Sequence, residues 1–342
     1  MILSKAECTE RRLDKELEAI ANKLNLESID EALYFPRFVQ LETTRLCNAQ
    51  CPMCLIDKWD KSVPFMSDEL FNKLATELCE YSDWIRWVCV QKAGEPMLDK
   101  KIGSRIKRLK AGGIQSVTMS TNASALTEKR SREILEAGID DLMISFDSID
   151  KKEYEAIRVG LNYENVLANI RRYFKLRDEV NPSSIIRVKG VHFFDPNDPK
   201  QIEYRQTWEE FWEDERQPHD RIYMKPAHTW GNQIELGDQA VDHGAEILHP
   251  CIMPWSTIQI TAMGTICLCP HVYDAIYDLG NLVDQSIAEV WRSSALERIR
   301  RLHSTGERND IPLCVGCVTY DEEFALEKDR PPLFSEEAVV NA

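Results

Sequence analysis

Hydrophobic positions along this chain switch repeatedly between a period near 3.6 residues and a period of 2. Leu13, Leu17, Ile20, Ala21 and Leu24 share one face of a helix predicted over 9–24. Phe38–Leu41 reads as a short strand. Ser67 is placed to cap a helix running to Glu80, with Asp68 and Glu69 in its first turn. Strands are then predicted at Trp84–Val90, Ser116–Ser120, Asp141–Phe146 and Ile185–Phe193. Helices alternate with them at Lys100–Ala111, Thr127–Ala137 and Asn162–Leu176, two of them stopped by Gly112-Gly113 and Gly138. Repeated β-α units predict parallel strands joined by right-handed crossovers. The periods do not choose between a full or partial barrel and an open doubly wound sheet. A G-x-G-x-x-G turn after a strand is missing from the sequence, so a dinucleotide fold has little support.

The pattern changes over 195–245. Asp195-Pro196-Asn197-Asp198-Pro199 is a turn cluster, Trp208–Glu215 is aromatic and acidic, and Tyr223–Trp230 is strand-like. This stretch reads as a last barrel strand followed by a bridge. The segment after Asp321 reads as a charged, loosely docked tail.

Composition adds bounds. The 342 residues are 43% apolar and 29% charged, enough for a full core. No apolar run approaches the roughly 20 residues of a membrane span. The N-terminus lacks the layout of a signal peptide, so the expected location is cytoplasmic. A formal net charge of -15 argues against a nucleic-acid partner. The basic run from Lys100 to Lys110 reads as a solvated helix face.

The 11 cysteines change the picture most. In a reducing compartment, clustered cysteines point to metal or redox chemistry. Cys47, Cys51 and Cys54 are spaced C-x3-C-x2-C. Three thiolates hold three corners of a [4Fe–4S] cube and leave one iron open. Structural zinc takes four ligands, and an electron-transfer ferredoxin supplies four.

This motif resembles that of the radical S-adenosylmethionine (SAM) superfamily, and further segments resemble it too. Gly94-Glu95-Pro96 follows the second predicted strand, like the family segment for the SAM amino group. Asn122 ends the third strand, near where relatives contact the ribose, and Ser145 and Asp147 end the fourth. Arg158 is similar to the family arginine that pairs with the SAM carboxylate. Ala93 and Ala123 depart from the family pattern, standing where many relatives have glycine. The resemblance implies an α/β fold, a partial (β/α)6 TIM-like barrel, with a small C-terminal cysteine-rich domain of the SPASM/twitch type. It implies a helical lead-in over 1–37, the barrel over 38–245, the auxiliary domain over 246–320 and a tail over 321–342.

Cys251, Cys269, Cys314 and Cys317, with Gly264 between the first two, resemble the auxiliary-cluster extension of these enzymes. No cysteine follows Cys317, which suits the single-cluster form. Four thiolates would saturate one auxiliary [4Fe–4S] cluster; a zinc ribbon is the alternative. Cys267 competes with Cys269 as ligand, or serves as a hydrogen-atom donor. Cys8, Cys79 and Cys89 read as structural.

The resemblance implies reductive cleavage of SAM to a 5′-deoxyadenosyl radical that abstracts hydrogen from substrate. A saturated auxiliary cluster suits two-electron oxidation of a hydroxyl on a sugar, polyol or aminocyclitol. Modification of a ribosomal peptide is the second expectation, although residues 1–37 are too few for a leader-binding module. A non-catalytic iron–sulfur or zinc protein is the third. Flavodoxin or ferredoxin is the expected reductant. Arg187, Lys189 and Val191 alternate to one side of a strand and His192 to the other, making Arg187 a candidate proton acceptor. His228 and Trp230 fall where a last strand would end over the site.

Overall fold

A computed structural model describes residues 5–192, 199–227, 230, 233, 249–272 and 274–317. Its centre is one eight-stranded sheet. Strands β1 (Phe38–Leu41), β2 (Trp87–Cys89), β3 (Val117–Thr121), β4 (Asp141–Ser145), β5 (Ile185–His192) and β6 (Arg221–Pro226) lie side by side in chain order. Every neighbouring pair among them is parallel. A doubly wound sheet reverses its strand order at a switch point. From β1 to β6 the order does not reverse, and that unbroken winding is the winding of a barrel. The barrel is partial: β1 pairs on its other edge with β7 (Thr257–Ile260), not with β6, and β8 (Ile266–Cys267) runs antiparallel to β7.

The helices are α1 (Lys5–Lys23), α2 (Asp68–Glu80), α3 (Ile102–Ala111), α4 (Glu128–Glu136), α5 (Lys151–Ile157), α6 (Tyr163–Val180) and α7 (Pro199–Glu210). Three more follow β6: α8 (Met253–Ser256), α9 (Ile287–Trp291) and α10 (Ser294–Ser304). Several starts are fixed by side-chain caps. Ser67 accepts from the Leu70 amide, Thr127 from Arg130, Asp150 from Glu153 and Asn162 from Asn165. Gly112 ends α3 against α2; a Cβ there would lie 1.9 Å from Cys79 Sγ. Cys79 and Gly112 therefore pack as a pair.

The strand faces divide cleanly. On β5, Ile186, Val188, Gly190 and His192 are buried while Ile185, Arg187, Lys189 and Val191 are half-buried. Val39, Leu41, Val88, Val90, Met119, Leu142 and Ile144 join the buried face as core. The other face is the lumen, and it is mostly polar. A bidentate pair locks the lower end of β5: Arg177 Nη1 and Nη2 each reach Asp220 at 2.6 Å, and the Ile186 amide donates to Asp220 at 2.8 Å.

Three expectations change. The second strand is shorter than Trp84–Val90, because Trp84 belongs to the preceding turn, where its indole donates to the Phe35 carbonyl at 2.6 Å. The stretch read as strand and bridge begins with helix α7, and the strand is Arg221–Pro226. The helix lacks an apolar stripe and is anchored by the fully buried rings of Trp208 and, just beyond its end, Trp212. Residues expected to belong to the auxiliary domain, β7 and β8, extend the barrel sheet. His228, Phe193, Asp195–Asp198 and the tail lie outside the described residues. Among the described residues no helix is long and apolar enough to cross a membrane.

Candidate active site

Because the six strands run parallel, their C-terminal ends gather at one mouth, and the early cysteine loop leaves β1 there. The Ala49 amide lies 3.5 Å from Cys47 Sγ, Asn122 Nδ2 lies 3.9 Å from it, and Arg158 Nη1 lies 3.7 Å from Cys51 Sγ. Burial pushes the Cys47 thiol up to about 11, and Glu95, Cys51 and Cys54 push the same way. The three thiols thus act on one another. This set fits a cube with one open iron, and its ligands would be Cys47, Cys51 and Cys54.

Gly94 is required by geometry. Its φ is +68°, and a Cβ would lie 2.6 Å from the Thr44 carbonyl oxygen and 2.7 Å from that of Leu46. The Glu95 amide donates to Leu46 at 2.7 Å. The buried Glu95 carboxylate turns inward as a brace, accepting from Thr121 Oγ1 at 2.6 Å, the Asn122 amide at 2.7 Å and the Met97 amide at 3.0 Å. The Asn122 side chain donates to Asn48 Oδ1 at 3.0 Å, next to Cys47. Ala123 takes a φ of +60° without being glycine.

Asp147 and Arg158, expected at the cofactor separately, close on each other. Arg158 Nε and Nη2 both donate to the Asp147 carboxylate, the latter at 3.1 Å, and the Val191 amide donates to it at 2.9 Å. Burial works against the Arg158 charge, but Asp147 more than offsets it. Ser145 stands half-buried at the end of β4, in register with Lys189.

Arg187 requires a correction. It donates to Asp141 at 2.7 Å, and Asp141 opens β4 at the opposite end from the mouth. A guanidinium held charged by a carboxylate does not accept a proton. The residue is a structural ion pair.

The late cysteines meet at a small cavity lined by Cys251, Cys269, Cys314, Cys317, Trp230 and His271, among others. Burial raises the Cys269 thiol, followed by Cys314. The Cys314 thiol is pushed up to about 12 by burial and then by Cys251. All four thiols line that one cavity. Cys267 is absent from that lining; after burial, the main influences on it are Lys92 and Glu42. Among the described residues no three His, Cys, Asp or Glu side chains gather as they would on a single metal ion. Thiol spacing alone therefore does not choose between a cube and zinc.

The two regions touch. Trp230 Nε1 donates to the Met53 carbonyl at 2.6 Å, beside Cys54, while its ring sits 5.6 Å from that of His271. Burial lowers the His271 imidazole to about 3, and Lys189 adds to this from β5. It is neutral at ordinary pH. Sequence reasoning missed Glu42, Arg45, Lys92 and His271. Glu42 follows β1 directly and Lys92 is the third residue after β2, and that position at a strand's C-terminal end was the available signal.

Comparison with known proteins agrees with this geometry. The chain matches the radical SAM superfamily over residues 41–192 and the SPASM iron–sulfur cluster-binding domain over residues 251–318, so it carries both domains. These two domains imply SAM, a SAM-binding [4Fe–4S] cluster and auxiliary [4Fe–4S] chemistry as cofactors. The match at the late cysteines decides for iron–sulfur over zinc. Among relatives, it is 26% identical to the tungsten-containing aldehyde ferredoxin oxidoreductase cofactor-modifying protein of Pyrococcus furiosus, over 42% of this chain and 40% of that protein. It is 30% identical to the GTP 3′,8-cyclase of Lactiplantibacillus plantarum, over 45% of this chain and 46% of that protein. The match thus spans less than half the length of either relative. Its fold is similar to that of BtrN in complex with AdoMet and 2-DOIA, with a TM-score of 0.56 and 15% identity over 82% of this chain and 91% of that one. It is also similar to Streptococcus suis SuiB bound to precursor peptide SuiA, with a TM-score of 0.56 and 15% identity over 96% and 80%.

Proposed function

We propose that the enzyme carries out a two-electron oxidation of a hydroxyl group on a sugar or related polyol. The observation that carries this reading is the convergence of four late thiols on one cavity beside the strand ends. Cys47, Cys51 and Cys54 would hold the SAM-binding cluster, and Cys251, Cys269, Cys314 and Cys317 the auxiliary one. When bound, these groups supply a radical that takes hydrogen from an unactivated C–H and an acceptor for the electron left behind. Four protein ligands leave no open iron for substrate, which is why electron transfer suits the second site.

The chain's own residues do the rest. The carbinol carbon loses a hydrogen atom and the hydroxyl loses a proton, so a carbonyl remains. That proton leaves to solvent, because burial and Lys189 both disfavour a protonated His271. The half-buried polar lumen, with Ser145, Lys189, Tyr223 and Lys225 on adjacent strands, suits a hydroxylated substrate. Arg187, Lys189, Arg221 and Lys225 all project from β5 and β6 on the lumen face, and Asp141 offsets the first and third. This charge favours a neutral or acidic sugar or polyol over a cationic aminocyclitol. A flavodoxin or ferredoxin is the proposed reductant.

The test is substrate-dependent release of 5′-deoxyadenosine across a panel of sugars, polyols, aminocyclitols and peptides. Deuterium at the reacting carbinol should appear in the 5′-deoxyadenosine, with a product two hydrogens lighter. A cross-linked or epimerised peptide product would overturn the reading.

A further inference from the structure

The two cysteine groups meet across buried charges that the proposed reaction does not use. Glu42 and Arg45 lie just before Cys47, Lys92 just before Gly94-Glu95, and Asp274 just after Cys269. Glu42, Arg45 and Lys92 are all buried. Arg45 Nε lies 3.3 Å from Glu42, and Arg45 also pairs with Asp274. Lys92 Nζ donates to the Val272 carbonyl at 2.5 Å, and the Val272 amide donates to the Cys269 carbonyl at 3.1 Å. The ammonium is therefore anchored on the very turn that presents Cys269. Cys267 accepts a hydrogen bond from it, and its charge reaches Cys269. It does not rank among the main influences on Cys47 or Cys51.

A buried ammonium is costly unless its surroundings use its charge. Beside a cluster, a fixed positive charge stabilises the reduced, more negative state, and net charge and hydrogen bonding are among the means by which proteins set cluster potentials. We propose that Lys92 is a positioning residue that raises the reduction potential of the auxiliary cluster, through an ammonium anchored on Val272 beside Cys269. Lys92 would thus make that cluster a better electron acceptor, without touching substrate. The inference rests on the two-cluster reading above.

The test uses the full chain, reconstituted anaerobically as wild type, Lys92→Met and Lys92→Arg. Iron is counted, and both clusters are titrated potentiometrically with paramagnetic resonance as the readout. The signal that changes on adding SAM marks the SAM-binding cluster. The expected result is that Lys92→Met keeps about eight irons, the sum for two cubes. Its auxiliary potential falls while that of the SAM-binding cluster holds, and Lys92→Arg restores the wild-type value. An unchanged auxiliary potential in fully loaded Lys92→Met overturns the proposal. An equal shift of both clusters does the same, since it would report a general structural change. Loss of the auxiliary irons from Lys92→Met would make the ammonium a holding group, and would also overturn it. A wild type reconstituting with only about four irons fails earlier, at the two-cluster reading itself.

Discussion

Asp147→Asn isolates the pair that fixes Arg158 against the early cysteine loop. The Asp147 side chain is fully buried and that of Arg158 is 13% exposed. The carboxylate accepts two Arg158 donors and the Val191 amide. An asparagine keeps one carbonyl oxygen, so its NH₂ group faces a guanidinium N–H, and the arginine charge loses its partner. Breaking a buried pair costs about 3–5 kcal/mol. The retained oxygen and the slight solvent access of Arg158 bring the expected loss to about 2–3 kcal/mol. In a chain of this length that is a fall in Tm of about 3–4 °C. The assay is anaerobic thermal unfolding followed by circular dichroism, run as a double-mutant cycle with Arg158→Met. The two changes should be coupled by more than about 1 kcal/mol, because the double variant leaves no unpaired charge. A single variant within about 0.5 kcal/mol of wild type, or additive effects, would refute the reasoning.

Asp220→Asn removes one half of the fully buried pair with Arg177, so stability to urea should fall by about 3–5 kcal/mol while the iron content of the folded protein is unchanged. Gly94→Ala drives a Cβ into two backbone carbonyls at a positive φ, and should abolish SAM binding measured by equilibrium dialysis; retained affinity would show that the loop can yield. Replacing Cys251, Cys269, Cys314 and Cys317 together by alanine should lower iron from about eight to about four per chain. Cys267→Ala should leave iron at the wild-type value, since that thiol lies with Lys92 and not in the four-cysteine cavity.

What could be read in the sequence follows from the range of the interactions. The β-α alternation and the cap at Ser67 are local signals, and both appear in the fold at nearly the expected positions. The alternation on β5 correctly placed Arg187 and Lys189 on one face. It did not reveal that Arg187 binds Asp141, which is 46 positions away in the chain. Helix α7 escaped because two buried tryptophans anchor that region where an apolar stripe was sought. Cys267 and Cys269 are two residues apart, and only the fold separates them. Strands β7 and β8 are short and lie among cysteines, so the chemistry of the segment masked its pairing with β1.

That pairing has a consequence for how the two cysteine regions are held. β7 sits beside β1, so the turn after β8 is built onto the β1–β2 side of the sheet, where Lys92 and Glu42 emerge. Backbone register therefore positions Cys269, just after β8, relative to the early cysteines. The same turn carries His271, whose imidazole is influenced by Lys189 on β5, six positions from β8 in the sheet order. Such an influence requires the sheet to curl until β5 faces the turn across the lumen. A substrate lying between Lys189 and His271 would then border the turn that bears Cys269. Moving an electron from that substrate to the auxiliary site would need no rearrangement of the barrel, only a potential set high enough to receive it. Lys92 is placed to set that potential.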